Sequence, residues 1–312
     1  STRKESSAAS DVYKRQTLYQ GGMIMNRKRL YIIGNGFDCM YGLPTKVSDF
    51  ERHLSEKQVY NEIDDANEIL NNYEVDWCEF EEGLSNINTE EIYSRNVQYP
   101  DYLSDHESDR DGGILNMQMY TDSLEESVRE ALDDMIQEAE SELDEKVCIT
   151  KSLFNEGDQI VSFNYTSTIE RLYDLPDGTN IIHIHGNSGG DKIFGYKEQL
   201  KQPSVMLSSE EDYYVDKQKE VVNSMYKRLQ KNYKYKELKD FLEKNCQEVD
   251  DVVVIGHSMA NVDSEYMEMI ESVVKPKKWY ISQYNQEPSE NSLSEYSFVD
   301  KICPFDSKNV LK

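Results

Sequence analysis

The chain has 312 residues, with 34 basic side chains against 60 acidic ones, a formal charge of −26 and a mean hydropathy of −0.76. No run approaches the roughly 20 apolar residues that a membrane-spanning helix needs, and the acid excess argues against nucleic-acid binding, which calls for basic surface. Five cysteines, at 39, 78, 148, 246 and 303, are odd in number and lack zinc-ribbon spacing, as expected of reduced thiols in a cytoplasmic protein.

Residues 1–22 show neither a hydrophobic period nor the apolar run of a secretory signal. The string SAASDVYKRQ reads as translated adapter or cloning sequence. The segment is set apart as a non-native or disordered tail, with Met23 or Met25 as the expected start and one α/β domain expected over 23–312. RLYIIG, at 29–34, is a β-branched apolar run ending at a glycine, the pattern of a buried parallel strand. The turn NGFDCMYGLPT follows, then helix-like segments to about residue 85. Residues 86–120 are polar and weakly periodic and read as loops and short helices. Over 121–144, Leu124, Val128, Ala131, Met135, Ala139 and Leu143 recur at three- and four-residue spacing, which predicts a helix capped by Thr121 or Asp122. Its 11 acids against 2 bases over 121–150 read as a solvated face.

Beyond residue 150 the pattern changes. DQIVSFN (158–164), NIIHIHG (180–186), KIFGY (192–196), DVVVIG (251–256) and KWYISQY (278–284) read as short strands. Helices are expected over 208–246 and roughly 263–274, the second ending ahead of Pro276. Apolar strands alternating with helices imply a parallel sheet covered on both faces, a doubly wound, Rossmann-like α/β fold. The stretch at about 50–150 reads as a long helical insertion after the first strand, lying over the sheet edge. In such sheets ligands bind beyond the carboxyl ends of the strands, where Gly34–Asp38, Asn164–Thr166, His185–Gly186 and Gly256–Asp263 all fall.

Each of these strand ends admits two readings. In GNGFD (Gly34, Asn35, Gly36, Phe37, Asp38) the glycines suit close approach of a phosphate to a helix N-terminus, or simply a tight turn. Asp38 can hold a ribose hydroxyl or cap the turn. Asn164 can position a water or sugar hydroxyl without titrating, or cap the helix that carries Thr166. HIHG aligns His183 and His185 on one strand face, which suits a metal pair, or a ligand-facing His185 with His183 packed inside. GHSMA, at 256–260, nearly matches a nucleophile elbow, but no histidine follows His257 to serve Ser258 as base, so the serine-hydrolase reading fails. Gly256, His257, Ser258 and Asp263 are left to contact a ribose or phosphate, or Ser258 or Asp263 to cap a helix. In WCEFEEGL, at 77–84, Trp77, Phe80 and Leu84 have core spacing. Glu79 and Glu81 read as solvated, Glu81 with a neighbouring backbone in reach, and neither takes a catalytic role.

LYIIGNGFDCMYGLPTKVSDF, WCEFE, VSFNYTSTIERLY, IIHIHG and VVVIGHSMANVDSEYM occur in this order across residues 29–284. As a set they resemble the AbiH family of bacterial abortive-infection (phage-resistance) proteins, departing at Cys39 and Tyr41, where an apolar residue or histidine is expected. More distantly the order is similar to sirtuin-like NAD-binding domains of antiphage systems. That resemblance implies Asn164 and His185 as catalytic residues, with Gly34, Gly36, Asp38, Gly256, Ser258 and Asp263 lining the nucleotide; Thr166 departs from the aspartate usual there. The expected ligand is NAD or a related nucleotide, as substrate or bound signal, with no metal. The expected partners are that small molecule and an unknown phage trigger, not a membrane, and homo-oligomerisation is left open. A non-enzymatic nucleotide sensor is the alternative, and a metal-dependent hydrolase or nuclease ranks below both.

Overall fold

The structure is a computed structural model that describes residues 27–60, 64–75, 81–106, 108–146, 148, 153–197, 205–207, 212–283 and 293–310. Six strands, β1 (Lys28–Ile33), β2 (Gln159–Ser162), β3 (Asn180–His183), β4 (Val249–Ile255), β5 (Lys278–Gln283) and β6 (Ile302–Asp306), form one sheet in the order β3-β2-β1-β4-β5-β6. Every pairing is parallel. The chain builds outward from β1 to β3 and then returns to the other side of β1, so the topological switch point lies between β1 and β4.

Both sheet faces are covered because the central strands are apolar on both. Leu30, Ile32, Val252 and Val254 pack against Leu238 and Leu242 of α8 (Tyr235–Asn245) and Met267 and Ile270 of α9 (Ser264–Val274). Their neighbours Tyr31, Ile33, Val253 and Ile255 face the opposite way, against Phe37 of α1 (Asn35–Met40) and Ile169 and Leu172 of α6 (Thr168–Leu172). This two-residue alternation follows from strand geometry. Burying each such side chain contributes about 1.5–3 kcal/mol.

The helical insertion comprises α2 (Val47–Leu54), α3 (Ala66–Asn72), α4 (Thr89–Asn96) and α5 (Ser108–Asp144), and it owns a separate core. Phe50, Leu70, Leu84, Leu124 and Val128 meet Met225 and Tyr226 of α7 (Tyr213–Arg228) there. Trp77 and Phe80 lie outside the described residues. Polar side chains start two of these helices: Asp65 accepts from the Glu68 N–H (2.8 Å) and Asn88 from the Glu91 N–H (3.1 Å).

Several sequence expectations are corrected. The insertion's end packs on a sheet face: Ala139 and Leu143, in the last turns of α5, share a core with residues of β1, β2 and β4. The helix expected from residue 121 begins at Ser108, so Thr121 and Asp122 are interior and cap nothing. Its apolar stripe continues backward through Met117 and Tyr120, and Gly113 passes closely beneath Gln98 and Gln218. Of the stretch 208–246, residues 208–211 lie outside the described residues and the remainder forms two helices, α7 and α8, with Gln230 bridging to Tyr196 between them. KIFGY is not a strand of the sheet. Ile193 donates to the His185 carbonyl (2.7 Å), and Gly195, at φ 145°, passes so near Leu229 that a Cβ would lie 2.2 Å from its carbonyl oxygen. Phe194 and Tyr196 are thereby delivered to the helical core. Finally, β6 had no signal strong enough to read: it is five residues long and contains Pro304, which an edge strand tolerates because one of its sides needs no ladder donor.

Candidate functional site

The carboxyl ends of β1, β2 and β4 and the chain just beyond β3 lie side by side, as the strand order requires. At the switch point the GNGFD and GHS turns touch backbone to backbone. Gly34 donates to the Ile255 carbonyl (3.0 Å) and Gly36 to the Gly256 carbonyl (2.7 Å). A Cβ at Gly36 would lie 2.8 Å from Gly256 Cα, and one at Gly256 would lie 2.1 Å from the Phe37 nitrogen. These glycines therefore let two turns interlock. Phe37 points into the core, Asn35 is exposed with its amide donating to the Thr45 carbonyl (2.6 Å), and Ser258 is exposed.

Between β2 and α6, alternate side chains of residues 163–166 face two polar clusters. The first contains Asp38, Asn164, Thr166 and Thr168, all buried. Thr166 Oγ1 donates to Asp38 Oδ2 (2.6 Å) and meets Thr168 Oγ1 at 2.9 Å. Asp38 Oδ1 and both polar atoms of the Asn164 amide are buried without a hydrogen bond of good geometry, although the amide lies near enough to favour the Asp38 carboxylate. Native proteins rarely leave such atoms unpartnered, at a cost of about 1–3 kcal/mol each. Asn164 thus caps no helix.

Burial pushes the Asp38 carboxyl up to about 6, against the lowering pull of the Thr166 and Thr168 hydroxyls and the Asn164 amide. A carboxyl raised on folding stabilises the fold while protonated, and this contribution is lost as pH rises through the folded value. Asp38→Asn is therefore expected to match the parent near pH 4 and exceed it at pH 8 by on the order of 3 kcal/mol. Denaturant unfolding at the two pH values checks this; a variant equally or less stable at pH 8 would contradict it.

The second cluster lies around Asp263. Its Oδ1 faces His185 Nε2 (3.2 Å) and Lys231 Nζ (2.9 Å), and its Oδ2 faces His257 Nε2 (3.4 Å). Lys231, whose side chain is 0% exposed, also bonds Glu81 Oε2 (2.6 Å), and the other Glu81 oxygen accepts from the Gly195 N–H (3.2 Å). Burial disfavours the Asp263 charge, but Lys231 and His185 outweigh it and hold the carboxyl well below its usual range. Burial likewise opposes the Lys231 ammonium, and the two carboxylates nevertheless hold it above the ordinary lysine range. Asp263 stands at the head of α9 without capping it, because its side chain is committed to this network.

Phe163 and Tyr165 set their rings against His185, at centroid distances of 5.1 and 5.9 Å, and Phe163 also meets His257 at 4.5 Å. Asn164 lies between them in sequence and faces the Asp38 side. The amide and the imidazole are thus contributed to two different clusters by one short stretch of chain and the residues just beyond its neighbour β3. His183 and His185 do not form a metal pair: His183 Nδ1 meets the Asn164 carbonyl (3.1 Å) and its Nε2 meets Glu170 (2.8 Å). Ligand atoms of Glu81, His185 and Asp263 come within 4.8 Å of one another. The positive charge among them is supplied by the protein itself, through Lys231.

Over residues 30–283 the sequence matches the family described as Bacteriophage abortive infection AbiH. The chain belongs to the AbiH family. The matched stretch begins within β1 and ends with β5, so it takes in the whole insertion and every strand end just described. No curated protein matches the chain. Among the described residues of this AbiH-family phage-defence protein, no helix is long and apolar enough to cross a membrane. Two members of its site, Glu81 and Lys231, had no sequence reading that pointed to them; the only hint was that Glu81 had a backbone in reach, which turns out to be that of Gly195.

Proposed function

We propose that this AbiH-family protein acts in abortive infection by binding NAD or a related nucleotide at the strand ends and hydrolysing its nicotinamide–ribose bond. One observation carries the reading: Asp38 Oδ1 and the two Asn164 amide atoms are buried beside one another without good partners at the carboxyl end of a doubly wound sheet. Two acceptors and one donor complement sugar hydroxyls and water, which both donate and accept, rather than a phosphate, which needs donors. The likeness of the motif order to sirtuin-like NAD-binding domains supports the same ligand.

In this reading Asn164 and Asp38 orient a ribose and the attacking water. The C–N bond to nicotinamide breaks through an oxocarbenium-like state, with the electron pair leaving on the already cationic ring, so no strong general acid is needed. Water adds to the ribose carbon, and the proton it releases passes to His185. Gly34, Gly36 and Gly256 shape the two turns, and exposed Asn35 and Ser258 are left at their rims for the remainder of the nucleotide. Phe37 and His257 support the site from within, and Thr166 holds Asp38 in place.

Purified protein incubated with NAD is expected to release nicotinamide and ADP-ribose in equal amounts. Saturable binding without release would make the protein a nucleotide sensor acting through a partner. Loss of release on chelation would move the reading to a metal-dependent hydrolase.

A further inference from the structure

The second cluster contains more charge than proton transfer at one imidazole requires. Glu81 and Asp263 supply two negative charges and Lys231 one positive charge, all buried or nearly so. Tyr165, Tyr233, Tyr266 and Tyr296 surround the network, and burial raises all four phenols above their ordinary value, so none contributes charge near neutral pH. With both imidazoles neutral the cluster has a net charge of −1. One proton taken up by either His185 or His257 would bring it to neutrality.

Hydrogen bonding decides which. Met259, at φ 59°, turns its backbone N–H onto His257 Nδ1 at 2.9 Å. A backbone N–H can only donate, so His257 Nδ1 must keep its lone pair, and its proton resides on Nε2, facing Asp263. The Met259 N–H thus occupies the atom at which His257 would take up a second proton. His185 has no such constraint, and among the described residues its Nδ1 makes no hydrogen bond.

We infer that Glu81, contributed by the helical insertion, and Lys231 are positioning residues whose opposed charges set the proton occupancy of His185 through Asp263. Removing the Lys231 charge leaves two carboxylates facing the imidazole, so the proton is held to higher pH. Removing the Glu81 charge leaves Lys231 and Asp263 balanced, so the proton is released at lower pH. Removing both restores the original sum. The insertion thereby tunes a residue just beyond β3, 104 positions away in sequence from Glu81.

The inference concerns the histidine to which the NAD reading gives proton acceptance, but its test needs no turnover. The imidazole resonances of histidine-labelled protein are followed by NMR from pH 5 to 9, with His185 assigned from the spectrum of His185→Gln. Lys231→Met is expected to move the His185 midpoint up by roughly one to two on the pH scale, and Glu81→Gln to move it down by a similar amount. The Glu81→Gln, Lys231→Met double variant is expected to return it to within a few tenths of the parent. Should Lys231→Met fail to fold, Glu81→Gln and the double variant decide the matter alone. A Glu81→Gln midpoint that stays in place or rises overturns the inference, whatever the protein does to NAD. A protein that leaves NAD intact while the midpoints move as stated overturns only the hydrolytic reading.

Discussion

If the protein hydrolyses NAD as proposed, His185→Ala is expected to lower nicotinamide release by roughly 100- to 10,000-fold, the usual effect of losing a general base, and Asn164→Ala by at least about 100-fold through lost orientation. The two losses have different physical signatures. Both polar atoms of the Asn164 amide lack a hydrogen bond of good geometry, so deleting them removes two unpartnered buried groups against only a weak pull on Asp38, and the His183 contact goes to the Asn164 main-chain carbonyl, which alanine retains. The melting temperature of Asn164→Ala should therefore hold or rise while activity falls. His185 does bond Asp263, so its alanine variant should melt lower. His185→Gln, which keeps a donor for Asp263 without taking up a proton near neutral pH, should recover stability and not turnover. In cells the variants are expected to lose phage protection at parental protein levels. Folded variants that still protect and still release nicotinamide would remove these two residues from the mechanism.

Gly256→Ala is expected to destabilise the fold by roughly 2–5 kcal/mol, combining the left-handed backbone with steric overpacking. Gly256 adopts φ 68°, and its added methyl would press on the Phe37 nitrogen at 2.1 Å and the Gly36 carbonyl carbon at 2.5 Å. No flexible side chain is available to move aside; both obstacles are main chain. Relief requires the β1–α1 and β4–α9 connections to part, which breaks the Gly36 bond to the Gly256 carbonyl and shifts His257 with its neighbour Asp263. Chemical denaturation of Gly256→Ala beside an alanine substitution at exposed Gly189, where an added methyl would make only an ordinary contact with Asn187 Oδ1 at 3.9 Å, measures the difference. Equal stabilities would show that the two turns move apart freely.

The fold was largely legible, and its errors have definite causes. β1, β2, β4 and β5 announced themselves because strands buried on both faces need unbroken apolar runs such as RLYIIG and DVVVIG. KIFGY has the same composition but serves a different purpose, as Gly195 bends it away so that Phe194 and Tyr196 can fill the helical core. Among site residues, Asp38, Asn164, His185 and Asp263 could be singled out because strand-end positions carry meaning in a parallel sheet. Glu81 and Lys231 could not. Each belongs to a mixed-charge stretch that reads in sequence as a solvated helix, and 150 residues separate them. Nothing local distinguishes a lysine destined for complete burial from one on the surface, since what removes it from water is the later approach of Asp263 and Glu81.

By itself the sequence determined the AbiH membership, the alternation of strand and helix, and the polar character of four strand ends, because these depend on residue type and short-range spacing. Tertiary structure alone decided that the glycine turns interlock, that Asn164 and His185 serve two adjoining clusters, and that an insertion residue balances the charge beside the imidazole. Those outcomes depend on distances between chain segments and on the removal of water from around paired charges. Neither quantity exists until the sheet and the helical core have closed on one another.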